Sequence, residues 1–323
     1  MGIKQRFRQW RHNRRVEQAF DDAYKNKRYE EIIWLIGDGR SGTTWVSELL
    51  NHDGRYREVF EPVHPKKIEP FSFIAPHQYQ RPGSQNPQLE AALGDLFSGK
   101  FRHPRTDFYN RSYAFNGLLI KDIFANLLGA WAVEQFPAVR PVYLVRNPFA
   151  VALSKRKKSN WFWLTDPAEL LQQPELREDY LQPYETLIRK TSEQNDFILS
   201  QILIWAIIHD IPARQFAGGG AHFLFYEQMF TNPLEELGRV LQFVRNATEP
   251  VSVELDESVI NKPSRVSGKD STLSGSNSPL LAWKNELPAA TIDQGLEILE
   301  TFGMAELYGD DGMPQPAVLL QRS

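Results

Sequence analysis

The chain has 323 residues, 41% hydrophobic, 12% aromatic and 24% charged, and its 37 Lys and Arg against 40 Asp and Glu give a formal net charge of -3. Such a composition is globular and excludes a disordered, fibrous or collagen-like chain; the length suits two domains or one large α/β domain. The complete lack of cysteine removes disulfides, thiolate metal sites and cysteine nucleophiles together.

Residues 1–28 carry nine basic and three acidic side chains, with Phe7, Trp10 and Phe20 set among the charges. A peripheral contact with an anionic membrane surface suits this arm, and a solvated helix whose aromatics pack on the main domain accounts for the same pattern. No apolar run with a cleavage site follows the first Met, so no secretory signal is expected and a cytoplasmic location is. Ile32 to Ile36 is a continuous apolar, partly β-branched run, as in a strand buried on both faces. After Gly37-Asp38-Gly39 a helical pattern begins, with Trp45, Val46, Leu49 and Leu50 on one side.

Further short strands are predicted over 57–60, 118–121, 141–145 and 222–225, and helices near 122–136, 149–158, 192–210 and 233–245. The alternation argues for a parallel α/β sheet. The stretch 79–113, rich in Pro, Gly, Gln, Arg and Asn, reads as a long surface excursion, and so does 262–279 with its six Ser and two Gly. The longest apolar run, Phe197 to Ile208, is broken by Ser200 and Gln201 and falls short of the roughly 20 residues a membrane span needs. No repeat or linker is visible. The expected organisation is a basic helical arm over 1–28, one domain over 29–312 and a tail over 313–323.

Chemistry concentrates first in Gly37-Asp38-Gly39-Arg40-Ser41-Gly42-Thr43-Thr44, between a predicted strand and a predicted helix. Glycines permit a tight turn and close backbone approach, and a new helix offers unpaired N–H groups to an anion. The frame is similar to G-x-x-x-x-G-K-[ST], but Thr43 stands in the lysine slot and the cation sits earlier, at Arg40. Without that lysine a nucleoside triphosphatase or kinase is disfavoured. The run Val142 to Val145 then ends in Arg146, with Ser154 eight residues on, a guanidinium and a hydroxyl that suit a phosphate monoester.

The segment R-S-G-T-T-W over 40–45, the Arg146/Ser154 pair, Phe223-Leu224-Phe225-Tyr226-Glu227 and the Trp283-Lys284 region together resemble the sulfotransferases that use 3′-phosphoadenosine 5′-phosphosulfate (PAPS) and release 3′,5′-bisphosphoadenosine (PAP). The resemblance covers about residues 31–310 in the expected order. It implies a three-layer P-loop NTPase-like fold, a central parallel sheet flanked by helices, and sulfuryl transfer without a required metal. The sequence likewise shows no H-x-x-H, H-E-x-x-H or EF-hand-like spacing.

The same resemblance implies which residues act. Gly39, Arg40, Ser41, Gly42, Thr43 and Thr44 would hold the 5′-phosphate, Arg146 and Ser154 the 3′-phosphate, and Trp45 and Tyr226 the adenine; Ser267, Gly268 and Lys269 would add a third 3′-phosphate contact. The cytosolic branch places a His base in K-x-H on the third strand, but here the stretch is Lys121-Asp122-Ile123. The carbohydrate and tyrosylprotein branches place a Glu after the second strand, where Phe60-Glu61-Pro62-Val63-His64 stands. Glu61 is therefore the expected base, with His64 and then Asp122 in reserve, and Lys121 is expected to steady the sulfuryl oxygens. A sugar, glycolipid or other small metabolite is the expected acceptor, entering beside Trp161-Phe162-Trp163; no nucleic-acid partner is expected. A P-loop kinase or regulator, and a scaffold that kept the fold without the chemistry, are the competing classes.

Overall fold

The computed structural model describes residues 3–158, 160–249, 251–262, 264–265 and 280–321, with side chains from Trp10 onward. In chain order the elements are α1 (Ile3–Lys25), β1 (Glu31–Gly37), α2 (Thr43–Leu50), β2 (Tyr56–Phe60), α3 (Pro87–Phe97), α4 (Pro104–Asp107), β3 (Gly117–Asp122), α5 (Gly129–Gln135), β4 (Val139–Val145) and α6 (Pro148–Arg156). They continue with α7 (Pro174–Leu176), α8 (Glu185–Gln194), α9 (Phe197–Gln215), β5 (His222–Phe225), α10 (Tyr226–Thr231), α11 (Pro233–Val244), α12 (Glu257–Ile260), α13 (Ala289–Thr301) and α14 (Pro316–Leu320).

The five strands form one parallel sheet in the order β2-β3-β1-β4-β5. Most strand positions are apolar because both faces are covered, as parallel sheets require; β2 is the exception, burying Arg57 and Glu58. Along β1 the side chains alternate: Trp34 and Ile36 pack with Leu89, Leu93 and Leu96 of α3 and Trp131 of α5, while Ile33 and Leu35 pack with Trp45, Val46 and Leu49 of α2 and Leu237 and Val240 of α11. The expected three-layer α/β fold is present. A third cluster joins α6, α9 and α13 beside the ends of β4 and β5.

All five expected strands form, within one or two residues of their predicted ends. The expected helix over 122–136 is confined to α5, because 122 completes β3 and the intervening turn is pinned by Asn126, whose carbonyl accepts from the Tyr143 hydroxyl at 3.1 Å. The helix expected over 192–210 is two: Asn195 turns left-handed at φ 51°, and Asp196 then caps α9 by accepting from the Leu199 N–H at 3.0 Å. The stretch 79–113 is not a surface excursion. Its α3 is capped by Asn86 and buries Leu89, Leu93, Leu96 and Phe97, each contributing about 1.5–3 kcal/mol.

Helix α9 runs to 19 residues, longer than its apolar core suggested; it is apolar enough to span a membrane by length and composition, yet 89% of that window is buried inside the protein. The second half of the basic arm packs on the domain through Val16, Ala19, Phe20 and Ala23 against Phe115, whereas Trp10 stays 51% exposed. The boundary expected at 312 leaves no mark in the packing, since Leu319 of α14 is fully buried in the cluster of α9 and α13.

Candidate active site

β1 and β4 are neighbours, and the crossover from β1 to β2 runs to one side while that from β4 to β5 runs to the other, which opens a crevice at the carboxyl ends of the strands. Every strand delivers a residue there: the loop from Gly39 to Trp45 after β1, Glu61 after β2, Lys121 at the end of β3, Arg146 after β4 and Tyr226 after β5. They line one cavity of about 720 Å³ together with His64 and Ser154.

The loop after β1 is shaped by its neighbours. Gly42 has φ 100°, and a Cβ there would come within 2.6 Å of the Tyr226 ring; a Cβ on Gly39 would come within 2.3 Å of Trp163. Both positions therefore need glycine for close approach. Helix α2 begins at Thr43 with no side-chain cap, which leaves first-turn N–H groups available at the cavity. Ser41 was expected to face a phosphate and does not: its hydroxyl and its N–H both donate to Asp38 O, at 2.7 and 3.1 Å, so it fixes the turn instead.

Two guanidiniums converge beside that turn. Arg40 Nε donates to Ser154 Oγ at 3.0 Å, and Arg146 Nη1 donates to the Arg40 carbonyl at 3.1 Å. Neither forms an ion pair among the described residues. Burial, and then the neighbouring Arg146 charge, lower the proton affinity of Arg40. Arg146 also lies 4.2 Å over the Tyr226 ring, whose edge contact with Trp45 is 5.7 Å between centroids. A pocket with these two cations, a hydroxyl, helix N–H groups and two aromatic rings is complementary to an aromatic anion with more than one negative group.

On the other side, Lys121 Nζ donates to Glu61 Oε1 at 2.6 Å, while the Glu61 N–H donates to Lys121 O at the same distance. Phe60 and Lys121 face each other in the β2–β3 register, which brings the two strand ends together. Arg40 and Glu61 both adopt left-handed backbone, with φ 72° and 49°, a conformation that aims each side chain off its strand into the cavity.

The reserve candidates for a base stand differently. His64 packs against Phe124 and Phe162, and its Nδ1 accepts from the Lys66 N–H at 3.2 Å. Burial, with Lys67 next in effect, pushes its pKa down to about 4, which leaves it neutral and weakly basic at neutral pH. Asp122 does not line the cavity: it is fully buried and accepts from Trp34 Nε1 and the Val63 N–H, both at 2.9 Å, so it braces the β2 end. Burial raises its pKa to about 7.

Ser267, Gly268 and Lys269 lie outside the described residues. Of the expected aromatic cluster, Trp161 and Trp163 line the cavity, while Phe162 packs on His64. Sequence reasoning missed a buried pair under the loop: Lys155 Nζ lies 2.6 Å from Asp38 Oδ1 and donates to Gln201 Oε1 at 2.8 Å. An acidic residue between two loop glycines was the available signal. Lys67, Arg105 and Phe108 at the cavity wall were missed as well.

The sheet and its strand-end anion pocket define a parallel α/β enzyme of the P-loop-like kind. The sulfotransferase domain family matches residues 30–267, and the chain belongs to that family. It is a sulfotransferase, an enzyme that moves sulfuryl groups. Solved structures similar to it include a sulfotransferase from Alicyclobacillus acidocaldarius, 17% identical over 84% of this chain and 94% of that one with a TM-score of 0.41. Others are the sulfotransferase domain of the Synechococcus PCC 7002 olefin synthase (18%, 85% and 94%, 0.40) and that from the curacin biosynthetic pathway (13%, 84% and 97%, 0.41). No curated protein matches the chain.

Proposed function

We propose that the enzyme transfers the sulfuryl group of PAPS to an acceptor hydroxyl, with Glu61 as general base. The observation that carries this reading is the meeting of Arg40 and Arg146 at the start of α2, Arg40 on the Ser154 hydroxyl and Arg146 on the Arg40 carbonyl, with neither guanidinium in an ion pair among the described residues; Glu227, raised to about 7 by burial, is the carboxyl that interacts with Arg146. A nucleotide with phosphates at both ribose ends fits such a set: Arg40 and the first-turn N–H groups for one, Arg146 and Ser154 for the other, Trp45 and Tyr226 for the base. Bound there, PAPS supplies a sulfuryl group on a phosphosulfate anhydride.

The chain's own groups do the remaining work, which is positioning and charge stabilisation. Glu61 takes the hydroxyl proton as the acceptor oxygen bonds to sulfur and the S–O bond to the 5′-phosphate breaks, the electron pair departing on the phosphate oxygen assigned to Arg40. Lys121 orients Glu61 through its 2.6 Å contact and adds positive charge at the β3 end. The test is calorimetry with PAP and with ATP, followed by transfer of labelled sulfuryl from PAPS. Tight PAP binding with weak ATP binding is expected; the reverse preference sinks the proposal.

The basic arm over 1–28 is proposed to rest peripherally on anionic membranes. Its exposed Trp10 and its row of cations support this. A cytoplasmic site of action is the matching proposal.

A further inference from the structure

The cavity is far more cationic than the chain. Seven Lys and Arg side chains line it against two carboxylates, Glu61 and Glu286, in a chain whose net charge is -3. Glu286 is itself taken up by Lys157 at 2.5 Å, and Glu61 by Lys121. Arg40 and Arg146 are assigned to the donor in the reading above. Lys158, Lys67 and Arg105 then remain, none of them in an ion pair among the described residues; of these, Lys67 and Arg105 lie on the Glu61 side. Their place is fixed by His64, whose electrostatic neighbours are Lys67, Glu61 and Arg105.

The cavity also has an apolar wall. Phe60, Ile68, Phe108, Ile123, Trp161 and Trp163 belong to it; Phe108 packs on Phe60 beside Glu61, Trp161 lies against Arg40, and these two, 46% and 38% exposed, are its most exposed rings. Aromatic faces that remain exposed at a catalytic mouth favour a planar or apolar body. Lys67 and Arg105 are exposed at this wall, and cations without an ion partner there favour an anionic substituent.

We infer that the acceptor is an amphipathic alcohol, an apolar body bearing an acidic group, with the body between Phe108 and Trp161, the hydroxyl at Glu61 and the acid at Lys67 and Arg105. This deepens the reading above and rests on it. Lys67 and Arg105 are the specificity residues, and they act by binding the acidic group rather than by touching the transferred sulfur.

The probes are 6-hydroxy-2-naphthoate, 2-naphthol and N-acetylglucosamine, offered to the full chain with PAPS. The naphthoate is expected to show a kcat/KM about 10-fold or more above that of 2-naphthol, the scale of a hydrogen bond to a charged group, with the sugar lowest. In K67Q/R105Q the ratio of naphthoate to naphthol should fall to near unity. Quenching of tryptophan fluorescence gives a second readout, naphthoate binding to the enzyme with and without PAP. A sugar preference, equal use of naphthol and naphthoate, or a ratio that survives the double substitution overturns the inference. PAP binding without naphthoate binding overturns it alone, leaving the donor reading intact. Absence of PAP binding overturns the donor reading instead, and naphthoate quenching lost in K67Q/R105Q then still supports the acidic subsite.

Discussion

Lys121 at the end of β3 and Glu61 just after β2 meet twice, through a 2.6 Å side-chain contact and through the Glu61 N–H on the Lys121 carbonyl. The backbone link fixes where the Glu61 side chain starts, and the Lys121 ammonium holds its carboxylate. Replacing Glu61 by Gln keeps the shape and removes the proton acceptor. Turnover is expected to fall by ~10²–10⁴-fold, the usual scale for a positioned base, with PAP affinity unchanged in calorimetry. If E61Q turns over at the parent rate, the base is another group.

Arg146 is expected to carry donor affinity. Arg146→Ala should weaken PAP binding by about 1.5–3 kcal/mol, the range for hydrogen bonds to charged groups, and should also free the Tyr226 face that Arg146 covers at 4.2 Å. Unchanged PAP affinity would remove Arg146 from the donor site.

The Asp38–Lys155 pair lies under the loop with both side chains at most 3% exposed. Burial lowers the proton affinity of Lys155, and Asp38 opposes that. Lys155→Met strands a buried carboxylate and is expected to destabilise the fold by about 3–5 kcal/mol, whereas D38N/K155M should regain most of the loss. Urea titrations of the two variants check it; equal midpoints would show that the pair is not coupled.

Acid should destabilise the enzyme through its histidines. In the unfolded chain His64 takes a proton near pH 6.5, while the fold holds it down to about 4. The unfolded state thus binds more protons between those values, and stability falls as pH drops from 6.5 toward 4. His77, His209 and His222, each held near 4 by burial, act in the same sense. Asp122 and Glu227, raised to about 7 by burial, act oppositely, because the fold keeps a proton that the unfolded chain has lost. Burial also raises Glu48 and Glu236, while hydrogen bonds from Arg81, Arg189 and Ser258 lower Asp179, Glu185 and Asp256, which therefore act with the histidines. His64→Phe, which keeps the ring between Phe124 and Phe162, should flatten the acid limb of a denaturation-midpoint profile by up to about one proton; an unaltered slope would contradict the assignment.

Local pattern carried the strands well, because a strand covered on both faces is apolar at most positions and cannot be confused with solvent-facing loop. The loop at 37–44 and the pair Arg146/Ser154 were legible for a related reason: each lies within a few residues of a strand end, so spacing alone places it. What stayed hidden depends on distance in the chain. Asp38 meets Lys155 across 117 residues, and His64 stacks on Phe162 far along the chain, contacts that no periodicity records. Helix α3 was masked by the Pro, Gly and Asn that surround and cap it, although Leu89, Leu93 and Leu96 keep helical spacing. Ser41 shows the opposite error, a motif residue whose hydroxyl turned out to serve the backbone.

The left-handed backbone at Arg40 and Glu61 sets chemistry against endurance. At Arg40 the chain forgoes about 1–2 kcal/mol that glycine would recover at the same angle, whereas E61G would leave Lys121, 3% exposed, without its partner and lose more than the backbone regains. A population of variants screened only for survival on heating would drift toward R40G and not toward E61G, giving up a guanidinium of the proposed donor pocket for endurance.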